Sequence, residues 1–179
     1  MRMEEVILVD ELYRPIGRME KMEAHRKVLL HRAFSVFILN DRGELMLQQR
    51  AFDKYHSGGL WTNTCCSHPR PDEPTVVAGE RGLIEEMGFT TPLKEIFQFT
   101  YKARLDNELT EYEFDHVLLG HYNDEPRLNE EEAVDYRRVA LPAVEAEIKE
   151  HPEQFSEWFK ICFEPFFDHM KRPEPQEEI

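Results

Sequence analysis

Two long alternating segments constrain the fold of this chain more than any other feature. Leu93–Leu105 reads LKEIFQFTYKARL, and Leu109–Tyr122 reads LTEYEFDHVLLGHY. Side-chain character alternates along both segments, which is typical of β-strands. Asp106 and Asn107 lie between the segments and favour a turn. The pattern therefore predicts a pair of neighbouring strands.

Shorter segments extend the predicted sheet. The apolar run in EEVILVD predicts a first strand, and ELYRP after it predicts a turn. Phe34–Leu39 and Glu44–Gln49 are strand-like, and NDRG between them supplies a turn, so we expect these two strands to form a hairpin. The segment AVDYRRVAL predicts another short strand.

Helices are predicted between and after the strands. Thr75–Met87 has helical spacing, and Gly88 after it is a favourable C-cap. Leu141–Glu150 and Gln154–Met170 are also predicted to be helical, and the second is rich in Phe and Trp. This order of elements predicts a single compact α/β domain, over residues 1–170, with a mixed β-sheet flanked by helices.

Composition limits the function classes. A chain of 179 residues is long enough for one well-buried domain, and its last segment, KRPEPQEEI (171–179), is predicted to be a disordered tail. The formal net charge of −14 argues against nucleic acid or an anionic membrane as a partner. No apolar run approaches the roughly 20 residues needed to cross a bilayer. Three cysteines without a secretion signal indicate free thiols in a reducing cytoplasm.

The segment LTEYEFD carries a group of carboxylates. Glu111, Glu113 and Asp115 share one face of the predicted strand, because side chains alternate with a period of two. A solvated strand face is one interpretation of this pattern. The other is a buried site, since antiparallel pairing that brings Tyr101 beside Glu113 would form a carboxylate–phenol pair. The residues alone leave both open.

The stretch WTNTCCSHP (61–69) contains the most distinctive group of reactive side chains. Cys66 and His68 are two residues apart, so in an extended segment they point to one side and Cys65 to the other.

His25, His31 and His68, with the same-face carboxylates, form a plausible set of ligands for a divalent metal. Imidazole suits Zn²⁺ and other transition metals, while carboxylates also admit Mg²⁺ and Mn²⁺.

The segment RPDEPTVVAGERGLIEEMGF (70–89) resembles the Nudix box, a loop–helix–loop motif whose helix carboxylates bind Mg²⁺ on a diphosphate. An ordinary amphipathic helix with exposed glutamates is the alternative. Two positions depart from the box: its first glycine falls at Ser67, and the glutamate after Arg81 is replaced by Gly82. A glycine in mid-helix costs about 1 kcal/mol relative to alanine.

Four segments together resemble type 1 isopentenyl-diphosphate isomerase: WTNTCCSHP, TEYE, the altered Nudix box and AHRKVLLHRAFS. The resemblance extends from about Val6 to about Phe166. It implies a Nudix-like fold and the interconversion of isopentenyl diphosphate and dimethylallyl diphosphate through a tertiary carbocation. Such a reaction adds a proton to an alkene and removes one from the neighbouring carbon, so it needs two opposed proton-transfer groups.

The resemblance also implies the roles of individual residues. The expected catalytic groups are Cys66, Glu113 and Tyr101. The expected ligands of one Mn²⁺ or Zn²⁺ ion are His25, His31, His68, Glu111 and Glu113, and Glu86 is expected to bind Mg²⁺ together with the diphosphate. The expected substrate-binding residues are Lys21, Arg50, Lys54, Ser67 and Trp158.

Two other functions compete with this interpretation. The first is a Nudix hydrolase that cleaves a nucleoside diphosphate derivative; Gly82 argues against it, and Cys66 would then have no role. The second is a metal-binding module that kept the fold without activity, although all the candidate catalytic groups are present. Of the remaining cysteines, Cys65 is expected to pack and Cys162 to lie in the core.

Overall fold

The structure is a computed structural model that describes residues 4–172. Nine strands form one mixed sheet. They are β1 (Glu5–Val9), β2 (Pro15–Glu20), β3 (His31–Leu39), β4 (Glu44–Arg50), β5 (Trp61–Thr62), β6 (Cys65–Ser67), β7 (Lys94–Arg104), β8 (Thr110–His121) and β9 (Ala133–Ala140). The helices are α1 (Lys21–Lys27), α2 (Thr75–Met87), α3 (Leu141–Glu150) and α4 (Glu157–Lys171). None of the helices within residues 4–172 has the length and apolar character to span a bilayer.

Strand β3 is the centre of the sheet. It pairs in parallel with β8 over its whole length and antiparallel with β6 on its other side. Its side chains are buried at nearly every position, which is typical of a strand covered on both faces. The long β7–β8 pair is antiparallel, as predicted, and its register places Tyr101 opposite Glu113.

The predicted hairpin of β3 and β4 has the correct strands and the correct turn, but the two strands hardly pair. Only Leu39 and Leu45, next to the turn, are partners. Beyond that point β3 pairs with β6 and β8, while β4 pairs with β5 and β9. Each strand of the predicted hairpin therefore makes most of its ladder with other strands of the sheet.

Helices cover the two faces of the sheet. On one face, α3 and α4 pack against β3, β4 and β7, with Phe37, Phe159 and Phe166 among the fully buried side chains. On the other face, α2 packs through Leu83 and Met87 against a cluster with side chains from β3, β4, β6 and β8. The expected α/β architecture, a mixed sheet flanked by helices, is confirmed.

Several elements differ from the sequence prediction. Strands β5 and β6 were not predicted, because they have only two and three residues. Strand β2 and helix α1 were not predicted, because PIGRME is largely exposed and α1 has only seven residues. The last helix begins at Glu157 rather than Gln154, since Ser156 is its N-cap and accepts a hydrogen bond from the Phe159 amide. Within the predicted tail, residues 173–179 lie outside the described part of the chain.

Gly82 lets α2 approach the sheet closely. A Cβ atom at this position would lie 3.0 Å from Cys65 Sγ and 3.1 Å from Phe34 Cζ. Both neighbours are fully buried, so neither has free space to move into. The departure from the Nudix box at Gly82 therefore has a steric cause: a glutamate cannot fit against Cys65 and Phe34.

We expect Gly82→Ala to lower the free energy of unfolding by about 1 kcal/mol. Overpacking of a filled core costs about 1–3 kcal/mol, whereas helix propensity returns about 1 kcal/mol. In a Cys65→Ala background the loss should be smaller, because the closest contacting atom has been removed. Urea denaturation of the four proteins of this double-mutant cycle measures the coupling.

Gly17→Ala is the matched control, because a Cβ there meets no atom within 4 Å. This variant should not lose stability. If the effects of Gly82→Ala and Cys65→Ala simply add, the steric explanation of Gly82 is wrong.

Candidate active site

One cavity collects the residues that the sequence predicts for the site. Its volume is about 510 Å³, and it is lined by α1, the loop after β4, β6, α2, the β7–β8 pair and α4. All the predicted site residues line this cavity except His31, which is fully buried behind it. Residues from distant parts of the chain therefore converge on one place.

Four of the predicted metal ligands form a cluster. The candidate ligand atoms of His25, His31, His68 and Glu113 all lie within 4.8 Å of one another. The Nε2 atoms of His68, His31 and His25 are 2.9, 3.3 and 3.7 Å from Glu113 Oε1. The β3–β8 ladder creates part of this arrangement, because it pairs His31 directly with Glu113.

The histidines are oriented as metal ligands usually are. His25 Nδ1 donates to the carbonyl oxygen of Lys21 at 2.7 Å, and His31 Nδ1 donates to that of Leu29 at 2.8 Å. A carbonyl only accepts, so in the neutral ring Nε2 carries the lone pair. His25 Nε2 is buried and has no hydrogen-bond partner. Three imidazoles and one carboxylate facing each other in this way fit a divalent cation.

Burial and charge set the protonation of this cluster. Burial lowers the pKa of His68 to about 4, so its ring is neutral and available as a ligand. Burial alone would raise the pKa of Glu113, but its interactions with His68, His25 and His31 outweigh burial and hold that pKa well below its usual range. Glu113 is therefore held as a carboxylate.

Glu111, the fifth predicted ligand, is outside the four-residue cluster in this structure. Tyr101 Oη lies 2.7 Å from Glu111 Oε2 and 2.7 Å from Glu113 Oε2. Burial raises the pKa of Glu111 to about 8, and the charge of Glu113 adds to the effect. A phenol has only one proton to donate. A protonated Glu111 can donate to Tyr101 Oη while Tyr101 donates to Glu113, so both short contacts are hydrogen bonds. The carboxylate–phenol pair is thus present, and the solvated-face interpretation of β8 is wrong.

The two adjacent cysteines face opposite sides, as predicted. Cys66 lines the cavity, with its sulfur 2.9 Å from Asn63 Oδ1 and 3.7 Å from Ser35 Oγ. Cys65 is fully buried against α2, and its thiol contacts Glu86 Oε2 at 2.8 Å. Cys65 therefore packs in the core, as expected. Its thiol also donates a hydrogen bond to Glu86, the residue predicted to bind Mg²⁺. Cys65, Cys66 and Cys162 are all free thiols, and Cys162 is in the core.

Positive side chains line the cavity in a protein that is strongly acidic overall. Lys21 Nζ lies 3.0 Å from Glu4, and Lys54 Nζ lies 2.6 Å from Glu132. The guanidinium of Arg50 stands over the Trp158 ring, 4.9 Å from its centre. Lys21 is distant in the sequence from Arg50 and Lys54, yet all three cations lie around one cavity.

Glu86, Ser67 and Trp158 complete the predicted set. Burial raises the pKa of Glu86 to about 7, so this carboxyl group can release its proton to solvent when a cation binds to it. Trp158 is 3% exposed, and its Nε1 has no hydrogen-bond partner. Ser67 lines the same cavity.

The sequence did not point to His56 or Asn63. His56 lines the cavity, stands edge-on to Trp158 at 5.7 Å, and has its pKa lowered to about 3 by burial and by Arg50. Asn63 is fully buried and contacts Cys66. Asn63 lies within WTNTCCSHP, so its position in that motif was the available signal; His56 had none beyond its closeness to Lys54.

Comparison with known proteins defines the class. Residues 29–159 match the model of the NUDIX domain. A protein of known structure from Deinococcus radiodurans superposes with a TM-score of 0.70 at 18% identity, covering 82% of this chain and 89% of that one. The MutT protein from Methanosarcina mazei gives a TM-score of 0.66 at 22% identity, covering 80% and 96%. These structures establish the Nudix fold.

Curated relatives define the family more narrowly. The isopentenyl-diphosphate Delta-isomerase of Pectobacterium atrosepticum is 48% identical over 171 residues, or 96% of each chain. Isopentenyl-diphosphate Delta-isomerase 2 of Photorhabdus laumondii is 48% identical over 155 residues, covering 87% of this chain and 88% of that protein. The chain belongs to the isopentenyl-diphosphate Delta-isomerase family, as the sequence motifs indicated.

The metal cluster can be tested without substrate. We expect the purified protein to retain one divalent metal ion per chain after dialysis, because two buried imidazoles, the half-buried imidazole of His68 and a buried carboxylate enclose the position. His31→Ala should lower the metal content to near zero. Glu86→Gln is the matched control, since Glu86 is not part of the cluster, and it should keep the metal. Elemental analysis by mass spectrometry measures all three proteins, and a metal-free native protein would contradict the assignment.

Proposed function

We propose that this protein interconverts isopentenyl diphosphate and dimethylallyl diphosphate. The observation that carries the proposal is the placement of Cys66 and Glu113 around one cavity. Their strands, β6 and β8, flank β3, so the thiol and the carboxylate come from opposite sides of the central strand. The sequence relatives of this chain carry the name of that isomerase.

The reaction needs a proton donor on one face of the alkene and a proton acceptor on the other. Cys66 and Glu113 are the two groups. Tyr101 bridges Glu111 and Glu113, so it orients the Glu113 carboxyl group and can pass a proton between the two carboxylates. When bound, a divalent ion supplies positive charge that makes the carboxyl group it touches more acidic.

Two metal sites are part of the proposal. The ligands of the first are His25, His31, His68 and Glu113, with Glu111 as the fifth, and imidazole-rich sets favour Mn²⁺ or Zn²⁺ over Mg²⁺. The second is Mg²⁺ at Glu86, bound together with the substrate diphosphate, because Mg²⁺ prefers phosphate oxygens to an all-protein cage.

The cations around the cavity are proposed to hold the diphosphate. Arg50 offers two parallel N–H donors to a phosphate, while Lys21 and Lys54 act as point charges. Glu4 and Glu132 hold the two lysines at the cavity before substrate arrives. Ser67 is the proposed fourth contact, through its hydroxyl group.

Trp158 is proposed to stabilise the carbocation. An aromatic face attracts a cation by about 2 kcal/mol or more when water is excluded. The ring is almost fully buried at the cavity wall, and it already lies against the cationic Arg50. Unlike a polar side chain, it offers no lone pair that would trap the intermediate.

The Nudix hydrolase alternative is not favoured. Gly82 stands where the box has a glutamate, and Cys65 and Phe34 fill the space that such a side chain would need. A hydrolase would also leave Cys66 without a role. An inactive metal-binding module is not favoured either, because Cys66, Glu113 and Tyr101 all lie at the cavity.

The setting of the enzyme is also part of the proposal. Its partner is a small diphosphate, and a net charge of −14 disfavours nucleic acid and anionic membranes. Three free thiols suit the reducing conditions of the cytoplasm.

Removing either proton-transfer group should abolish most turnover. We expect Cys66→Ala and Glu113→Gln each to lower kcat by about 10²–10⁴-fold, the usual contribution of a positioned acid or base. The assay incubates isopentenyl diphosphate with Mg²⁺ in D₂O and follows dimethylallyl diphosphate and its deuteration by NMR. Cys65→Ser is the matched control, because serine keeps a donor to Glu86, and its effect should be mild. Near-normal turnover by a folded Cys66→Ala protein would refute the assignment.

Variants of Trp158 separate a cation–π role from packing. Trp158→Phe keeps a weaker aromatic face and should retain partial activity, whereas Trp158→Leu keeps apolar bulk and should lose more. Both losses should appear in kcat rather than KM, because the positive charge develops only near the transition state. Steady-state kinetics at equal folded fraction is the measurement. Equal activity of the two variants, with only stability reduced, would show that Trp158 is simply part of the core.

A further inference from the structure

We propose that Asn63 is a positioning residue that fixes the direction of the Cys66 S–H bond. Asn63 Oδ1 lies 2.9 Å from Cys66 Sγ, and Asn63 is completely buried. The kinetic consequence rests on the proposed function, in which Cys66 is a catalytic group. The hydrogen bond between Asn63 and Cys66 does not depend on the proposed function.

The backbone determines which way the Asn63 amide points. Its Nδ2 donates to the carbonyl oxygen of Val36 at 3.0 Å and to that of Cys65 at 3.1 Å. A carbonyl oxygen only accepts, so the amide nitrogen must face these two groups. The amide oxygen therefore faces Cys66. Because that oxygen cannot donate, the hydrogen bond between the two residues requires Cys66 to be the donor.

The second neighbour of the thiol is also an acceptor. Ser35 Oγ is 3.7 Å from Cys66 Sγ and donates its own proton to Asp115 Oδ2 at 2.7 Å. Within residues 4–172, the hydrogen-bond partners of the Cys66 sulfur are thus two oxygens oriented to receive a proton. The much shorter contact, to Asn63, sets the direction of the S–H bond.

A chain of hydroxyl groups holds Asn63 in place. Its Oδ1 also accepts from Thr62 Oγ1 at 3.0 Å, and Thr62 Oγ1 accepts from Ser156 Oγ at 3.0 Å. Ser156 is the N-cap of α4, the helix that carries Trp158. Fully satisfied buried networks of this kind are rigid. Cys66 and the helix of Trp158 are consequently held by one array of hydrogen bonds.

Infrared spectroscopy tests the contact directly, because an S–H stretch moves to lower frequency when the thiol donates a hydrogen bond. The difference between wild type and Cys66→Ala isolates the Cys66 band. Cys162 is the internal reference, since its thiol has only a long contact, 3.9 Å, with its acceptor Asp115 Oδ2. We expect the Cys66 band at lower frequency than the Cys162 band, isolated in the same way with Cys162→Ala. Equal frequencies would overturn the proposal.

Enzyme kinetics tests whether the orientation of the Cys66 thiol affects turnover. Asn63→Ala frees the thiol to rotate, so we expect kcat to fall about tenfold, the loss of one hydrogen bond at the transition state, with little change in KM. In this variant the Cys66 band should move up towards that of Cys162. Unchanged kcat in a folded Asn63→Ala protein would overturn the positioning role.

Thr64→Val is the matched control. Thr64 is also fully buried in the same segment and donates to the Met46 carbonyl oxygen at 2.6 Å, but it does not contact Cys66. This variant should lose thermal stability and keep kcat; an equal loss of kcat would count against the proposal. The wild-type infrared measurement needs neither the Asn63 variant nor substrate. A shifted Cys66 band in a protein that does not isomerise the substrate would therefore refute only the proposed function.

Discussion

The parallel ladder between β3 and β8 runs from the His31–Glu113 pair to the Leu39–His121 pair without interruption. The site depends on this register. A slip of one residue would turn every side chain of β8 to the other face of the sheet. Glu113 would then leave the histidines, and Asp115 would leave Ser35. The pairing of β6 on the other side of β3 places Cys66 against Ser35 in the same way.

This register also makes three buried carboxyl groups tolerable. Glu111, Glu113 and Asp115 are each at most 6% exposed, and an unpaired buried charge is strongly destabilising. Each has a partner on a neighbouring element: Tyr101 on β7, the histidine cluster, and Ser35 on β3. Burial raises the pKa of Asp115, and that of Glu111 as well, so the neutral form relieves repulsion along the strand. The acidic face of β8 is stable because its neighbours are matched to it.

Much of the site could be predicted from the sequence, because the evidence for it was local or carried by motifs. The alternation of β7 and β8, with a short turn between them, predicted two neighbouring strands and offered the contact of Tyr101 with Glu113 as one of two interpretations. The partners of β3 could not be predicted, since a strand that is apolar on both faces does not specify its neighbours. The direct contact of Cys65 with Glu86 was missed for a related reason: it joins β6 to α2 across a turn whose path the sequence leaves open.

The adjacent residues Cys65 and Cys66 explain why the Nudix helix has a glycine at residue 82. Adjacent residues of a strand point to opposite faces, so Cys65 turns to α2 while Cys66 turns to the cavity. Cys65 takes the space next to Gly82 and contacts Glu86, which leaves no room for a glutamate at residue 82. The helix then contributes Glu86 to the cavity, while the thiol and the histidine–glutamate cluster come from β6, β8 and the segments next to them. Under the proposed function, the proton-transfer groups would therefore lie on the sheet, and the Nudix helix would help to bind the diphosphate through Glu86.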